Sequence, residues 1–447
     1  MKNNECGAFI LSETKNGERI VSCGGRISTR PGTAVELYRG ATDKEKNLKL
    51  VQRVVSSGHK TVLEHHYFNL AFNNVSIFIE QYLIEFRVAS FTIKSGRYVN
   101  FSNAGFNLPD SFTPEQKKII KSHYKKMFKF YDKFVAAGIP VEDARFILPY
   151  GLKTNIYMSL NAREMIHLIC TMIYGRGKHY EEIYALGLQL KEQFDARYPD
   201  LIENSKNLYT DDLNEVLTIN PKPVAPKDIE YVYQDIELLS HPVNARQTIE
   251  EFAKFTGYEK FDFKTALKDD KQAKLLEHFN YTFKIKNFAL IILKHLSRHR
   301  MQSLATPSLA KIVDANKFII PETIKANPEL LEDFKNCIKE NRKIYNKILP
   351  QVDPRLLIYL TPHGAGVDLV STMNARELLH FMNLRTCTRA QWVIRDLATE
   401  MTKQLKRADK EMFEGFGPSC YTYGVCPEGR MCCGKQQEMK KMFDEME

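Results

Sequence analysis

A chain of 447 residues with 43% apolar and 26% charged side chains is too long for one ordinary domain and too apolar to be disordered. Its apolar runs, such as Phe288–Leu293, fall far short of the about 18 residues of a membrane span, and the first residues from Met1 to Cys6 lack a signal core; a cytoplasmic protein with no membrane partner is expected. The net charge of +10 suits anionic partners such as nucleotides or folates, and no DNA- or RNA-binding signature accompanies it, so nucleic acid is not expected.

In chain order, Asp43–Ser57 has the spacing of an amphipathic helix that Gly58 stops. Phe68, Leu70 and Phe72 alternate as on a half-buried strand. Thr113-Pro114-Glu115-Gln116 opens a helix, with a capping Thr, Pro in the first turn and Gln three residues after the cap. Its lysines 117, 118, 121, 125, 126 and 129 read as a solvated face. Asn161–Ile173 is helical in pattern. The stretch Pro199–Lys227, with Pro221, Pro223 and Pro226, reads as a linker. Beyond it, Asn327-Pro328-Glu329 opens another helix, and Asn374–Arg385 and Ala390–Leu405 predict two more.

The chain repeats itself. Leu63-Glu64-His65 returns as Leu276-Glu277-His278, and Asn161-Ala162-Arg163-Glu164 as Asn374-Ala375-Arg376-Glu377, each 213 residues further on. Arg87 and Arg300, Ser90 and Ser303, Ser95 and Ser308, and Pro149 and Pro362 share that offset. A period of this size implies a duplicated domain, not a solenoid. The expected organisation is a first domain over 1–205, a linker over 206–227, a second domain over 228–410 and a tail over 411–447, each copy mixing helices with a sheet.

No G-x-G-x-x-G follows a strand, which argues against a Rossmann site. His59, Glu64, His65 and His66 do not match helical metal spacings. Two elements point to chemistry. Arg298-His299-Arg300, followed by Ser303, offers guanidinium groups that bind phosphates or carbonyl oxygens in pairs and stack on planar rings; otherwise it is an exposed basic turn. Ser95-Gly96-Arg97-Tyr98 combines a hydroxyl, a close backbone approach and a cation, as a phosphate cradle would. Four tail thiols, Cys420, Cys426, Cys432 and Cys433, are either ligands of zinc or an iron–sulfur cluster, or free or redox-paired thiols. The odd total of nine cysteines argues against a full disulfide framework.

These residues resemble the flavin-dependent thymidylate synthases, the ThyX family, marked by R-H-R-x-x-S running into N-E-x-S-x-R-Y, by G-H-x-T-x-x-E-H upstream, and by N-x-R, L-R and A-Q downstream. The resemblance covers nearly the whole chain. The first copy carries Gly58-His59-Lys60-Thr61 with Glu64-His65, Ser95-Gly96-Arg97-Tyr98, and Ala144-Arg145 before Leu148-Pro149; Glu85-Phe86-Arg87 stands in place of R-H-R. The second carries Arg298-His299-Arg300, Ser303, Asn374-Ala375-Arg376, Asn383-Leu384-Arg385 and Ala390-Gln391; Ser308-Leu309-Ala310-Lys311 stands in place of S-x-R-Y.

The losses interlock. The second copy has Gln272, Lys274, Ala310 and Ile358 where the first has His59, Thr61, Arg97 and Arg145; the first has Glu85, Phe86 and Met172 where the second has Arg298, His299 and Arg385. In the family the active site lies between subunits, so the resemblance implies an α+β fold, two tandem copies of helices packed on a small antiparallel sheet, forming a pseudo-dimer with one composite site kept. It implies catalytic roles for Arg385 and Arg298. Substrate binding falls to Ser95, Gly96, Arg97, Arg145, His295, Arg298 and Arg385. Cofactor binding falls to Ser28, His59, Thr61, Glu64, Arg298, His299, Arg300, Asn374, Arg376 and His380.

The implied reaction is reductive methylation of dUMP to dTMP with FAD, methylenetetrahydrofolate as carbon donor and NADPH as reductant, in a homodimer that imitates the family's four subunits. Three positions depart from the family: the Asn of N-E is Thr92 or Ala305, its acid is Ile93 or Thr306, and the glutamine before R-H-R is His295. They leave two alternatives open, another flavin-dependent pyrimidine-nucleotide modification and a catalytically silent nucleotide-binding paralogue. Cys387 lacks the P-C-H setting of a nucleophile and reads as structural.

Overall fold

The computed structural model describes residues 6–209, 221–267, 269–307, 312 and 316–446. The first copy builds an antiparallel sheet from β1 (Gly7–Glu13), β2 (Tyr67–Ser76), β3 (Ser90–Ile93) and β4 (Lys153–Asn161), in the order β1-β2-β4-β3. The second copy builds β5 (Asp235–Ser240), β6 (Asn280–Ala289), β7 (Gln302–Ala305) and β8 (Gly366–Asn374), in the equivalent order β5-β6-β8-β7. The alternation read at Phe68, Leu70 and Phe72 buries all three rings or chains fully, and Tyr281, Phe283 and Ile285 do the same on β6.

The repeat extends to backbone irregularities. Asn74 and Asn287 both take the left-handed conformation, with φ of 52° and 53°, inside a bulge against β4 and β8. Each donates its backbone N–H at 2.9 Å to a side chain of the partner strand, Asn155 in one copy and Asp368 in the other. Asparagine tolerates that conformation better than other side-chain-bearing residues. Asn16 and Asn244, also left-handed, open helices Gly17–Ile27 and Ala245–Phe255. Where the first copy then has helix Lys44–Ser56, capped by Asp43, the described residues of the second form the one-turn helices Phe263–Ala266 and Asp270–Ala273.

The expected helix starts are present. Thr113 and Gln116 cap each other at the head of Pro114–Ala136, and Asn327 accepts from the N–H groups of Glu329 and Leu330 at the head of Pro328–Ile348. Asn161 caps Ala162–Ile173 and Asn374 caps Ala375–Arg385, each at the end of a sheet strand. Six of the seven lysines on helix 114–136 are exposed, and Lys117 pairs with Asp110 at 2.6 Å, as a solvated face predicts. Among the described residues no helix is long and apolar enough to cross a membrane.

The chain folds into two compact units that do not follow the repeat boundaries. One comprises residues 1–226, 309–314 and 323–362, the other 227–308, 315–322 and 363–447. The second copy's segment 323–362 therefore belongs with the first copy, which differs from a split into 1–205 and 228–410. Inside that first unit, helix 328–348 packs on helix 114–136. Phe134 and Phe334 stack with centroids 6.5 Å apart, Lys133 pairs with Glu329 and Asp333, and Asn341 donates to buried His123 at 3.3 Å. Tyr124 donates to the carbonyl of Tyr359, and the backbones of Tyr150 and Thr361 hydrogen-bond at 2.9 Å. Of the stretch expected as linker, residues 210–220 lie outside the described residues.

Candidate functional site

In the first unit the centre of interest is Arg145. It follows the short helix Val141–Ala144 and is fully buried, 1% exposed. Its Nε donates to the carbonyl of Glu142 at 3.1 Å, and its Nη2 has no hydrogen-bond partner among the described residues. A buried guanidinium nitrogen left without an acceptor is costly, and an anion would satisfy it. Burial lowers the pKa to about 10, with Glu142 and Glu80 opposing, so the group is still a cation at neutral pH.

The Ser95 segment turns over this arginine. Val99 and Tyr98 donate backbone N–H groups to the Ser95 carbonyl, and the Arg97 N–H reaches Ser95 Oγ at 3.3 Å. A Cβ at Gly96 would lie 2.8 Å from Nη1 of Arg145 and 2.7 Å from the ring of Phe101. Arg97 itself pairs with Glu142 at 2.6 Å. The structure thus brings Ser95, Gly96, Arg97 and Arg145 together. Gly96→Ala should displace Arg145 at a cost of about 1–3 kcal/mol, so affinity for a phosphate-bearing anion should fall roughly tenfold or more. Calorimetric titration beside a melting curve checks this; unchanged affinity in a folded variant would count against the cradle.

Of the other first-copy residues, Thr61 and Glu64 lie on one turn, Lys60–His65, and His59 just precedes it; His59 and Thr61 are exposed. Glu64 is engaged by Arg163 at 2.6 Å, and the second copy repeats this pair as Glu277 with Arg376 at 2.5 Å. Arg376 also pairs with Asp270. A pair kept in both copies ties the E-H turn to the following helix. Ser28, at the C-terminal end of helix 17–27, is exposed and bonds only locally to the carbonyl of Gly25, at 3.4 Å.

In the second unit, His299 is buried, 4% exposed, between the exposed Arg298 and Arg300. Its Nδ1 lies 3.1 Å from Glu377 Oε1, and its Nε2 accepts from Arg385 Nε at 2.9 Å. Arg385 also donates to the carbonyl of His295 at 3.3 Å. The His299 ring sits beside those of Phe381 and His380, with centroids 4.8 and 5.7 Å away. Gln302, buried on β7, donates to the Leu296 carbonyl at 2.6 Å and accepts from Ser371 of β8 at 2.9 Å, which locks the R-H-R turn onto the sheet. The structure therefore gathers Arg298, His299, His380 and Arg385 at the end of helix 375–385, with the His295 carbonyl. Sequence reasoning missed Glu377 and Gln302. The recurrence of Asn374-Ala375-Arg376-Glu377 marked Glu377, but only as a helix start.

The mirror positions are filled differently. In the first unit Phe86 stands for His299 and packs on His167, the counterpart of His380, with centroids 5.3 Å apart. Met172, for Arg385, is fully buried. Glu85, for Arg298, pairs with Arg176, whose guanidinium lies 5.1 Å from the Tyr82 ring centroid. Ile358, the second copy's counterpart of Arg145, lies in the segment 323–362 that joins the first unit, and is buried. Ser308, Leu309, Ala310 and Lys311 lie outside the described residues.

The tail thiols lie near one another: Cys426 and Cys432 share a side-chain hydrogen bond, and Cys387, Cys426 and Cys433 act electrostatically on Cys420. Among the described residues no three His, Cys, Asp or Glu side chains are placed to hold a metal ion. All nine cysteines are free thiols.

Two stretches of the chain, 9–200 and 232–409, match the family described as thymidylate synthase complementing protein. The flavin-dependent thymidylate synthase of Geobacter sulfurreducens is 36% identical over 179 residues, 38% of this chain and 75% of that relative. The enzyme of the same name from Clostridium tetani is 32% identical over 214 residues, 44% of this chain and 86% of that relative. A solved structure of a UMP/dUMP methylase, PolB from Streptomyces cacaoi bound with 5-Br dUMP, is 20% identical, covers 46% of this chain and 96% of its own, and superposes with a TM-score of 0.38, too low to bear on function.

Proposed function

The chain belongs to the thymidylate synthase complementing protein family, and from that premise we propose that it is a flavin-dependent thymidylate synthase that methylates dUMP reductively, with methylenetetrahydrofolate as carbon donor, NADPH as reductant and FAD as cofactor. The observation that carries the reading is the division of retained groups. Arg145, with Arg97 and Ser95, supports phosphate binding in one unit, and Arg385, His299 and Arg298 support ring binding in the other. The mirror positions hold Ile358 in the second copy, and Phe86 and Met172 in the first.

The second unit's donor set fits a flavin dinucleotide. Arg298 and Arg300 are exposed on either side of buried His299, where cations can meet phosphates and ring carbonyls. A bound flavin supplies hydride. The chain's own residues do the rest. Carbon 5 of uracil is a poor nucleophile, and Arg385 beside the nitrogen-3 and oxygen-4 edge favours the ionised, electron-rich ring. Arg298 holds the uracil and flavin rings together. Arg145 and Arg97 neutralise the phosphate, which is costly to desolvate without such partners.

One nucleotide and one flavin per chain are expected, because the mirror set offers little charge at either end, and the working assembly is a homodimer. Flavin absorbance of the purified protein, calorimetric counting of deoxyuridylate sites, and thymidylate formation from the three substrates test the reading together. Two equivalent tight nucleotide sites per chain would sink the complementary-halves model. The changes at Thr92, Ile93 and His295 favour a second reading, another flavin-dependent modification of a pyrimidine nucleotide. A product other than thymidylate in the same assay would select it.

A further inference from the structure

An arginine guanidinium has donors and no acceptor. Arg385 Nε lies 2.9 Å from Nε2 of His299, so that ring nitrogen must carry a lone pair and no proton. The ring is then neutral, its proton sits on Nδ1, and Nδ1–H donates to Glu377 Oε1 at 3.1 Å. The backbone that carries this carboxylate is held in turn: the Glu377 N–H donates to the Asn374 side chain at 2.8 Å, which fixes the first turn of helix 375–385. His299 and Glu377 are both buried.

We infer that Glu377 and His299 are positioning residues for Arg385, and that only the Nδ1–H form of His299 holds this guanidinium. The inference rests on the proposed role of Arg385 as the cation facing the pyrimidine ring. It adds that this role depends on an imidazole being neutral.

The charged and titratable groups around His299 come from two elements. Glu377, His380 and Arg385 belong to helix 375–385; Lys294 and His295 belong to helix Leu293–Ser297, and Arg298 and Arg300 flank the ring directly. Burial pushes the imidazole below its usual 6.5, Arg385 and His380 add to that, and Glu377 opposes. A depressed histidine stays neutral above its folded pKa, which here lies below 6.5. Protonation would convert Nε2 from acceptor to donor, break its bond to Arg385 and set two cations against each other. The relay is therefore present at neutral pH and lost as pH falls through the folded pKa. The first copy keeps Glu164 but has Phe86 and Met172 in place of the other two groups, so the relay exists once per chain.

The test uses the full-length, flavin-loaded protein. His299→Phe, which copies the first repeat, should lower kcat about 10- to 100-fold at saturating flavin. His299→Gln keeps an acceptor for Arg385 and cannot titrate; it should restore most of kcat and remove the acid limb of the kcat pH profile. A retained acid limb in His299→Gln, or full activity in a folded His299→Phe, would overturn the inference. Nitrogen-15 NMR of the ring supplies an arm independent of turnover. It should find protonated Nδ1 and bare Nε2, with the titration point raised in Arg385→Gln and lowered in Glu377→Gln. The opposite tautomer, or no shift in either variant, would refute the relay even if activity followed expectation. If deoxyuridylate is neither bound nor converted, the proposed function fails instead, and the NMR arm still decides the relay.

Discussion

Arg385→Ala is expected to cut kcat by about a hundredfold or more while flavin remains bound, since loss of one preorganised charge contact costs on the order of 3 kcal/mol in the transition state. The contrast is with its first-copy counterpart. Met172 is fully buried, and a Cβ at Gly177 or Gly187 would meet its atoms at 2.7 Å. Truncating it to Ala would leave a cavity costing about 2–5 kcal/mol of stability, which would obscure any statement about activity. Met172→Leu keeps the volume and should leave kcat unchanged at a stability cost below about 1.5 kcal/mol. Steady-state rates read beside thermal melts make the comparison. A Met172→Leu variant that is folded yet as slow as Arg385→Ala would contradict a single working site per chain.

Arg145→Met should produce effects of opposite sign. The substitution removes a buried cation whose Nη2 has no partner among the described residues, so the free protein should melt at the same or a higher temperature. The nucleotide loses a charge-assisted partner for its phosphate, worth about 1.5–3 kcal/mol, or about 10- to 100-fold in Kd. Titration with deoxyuridylate and with the uncharged nucleoside separates the causes. Nucleotide affinity should fall and nucleoside affinity should not. Equal losses for both would mean that Arg145 supports the fold and not the phosphate.

Much of the local structure was legible because local chemistry dictates it. Thr113 with Gln116, and Asn161, Asn327 and Asn374, announce helix starts because their side chains satisfy backbone N–H groups that a helix leaves open, and the structure bonds each as expected. Phe68, Leu70 and Phe72 announce a strand because alternate residues face one side of a sheet. What stayed hidden depends on distant segments. Nothing near His299 shows that its proton goes to Glu377, 78 residues away. Glu64 and Arg376 carry the right chemistry for a cofactor, yet both are engaged in ion pairs that only the folded geometry reveals. The four tail thiols satisfied a count, but among the described residues no three such side chains are placed to hold a metal ion, and a count cannot show that.

The placement of segment 323–362 in the first unit also sets a timetable for synthesis. Helix 114–136 emerges from the ribosome long before helix 328–348, which stacks Phe334 on its Phe134 and offers Asn341 to its His123. At about 5–20 residues per second the earlier helix waits on the order of 10–40 s for its cover. Over that interval an apolar face of the nascent chain is bare, and a chaperone or a provisional contact has to shield it. The amino-terminal repeat, although translated first, reaches its native packing only when most of its sibling has been made.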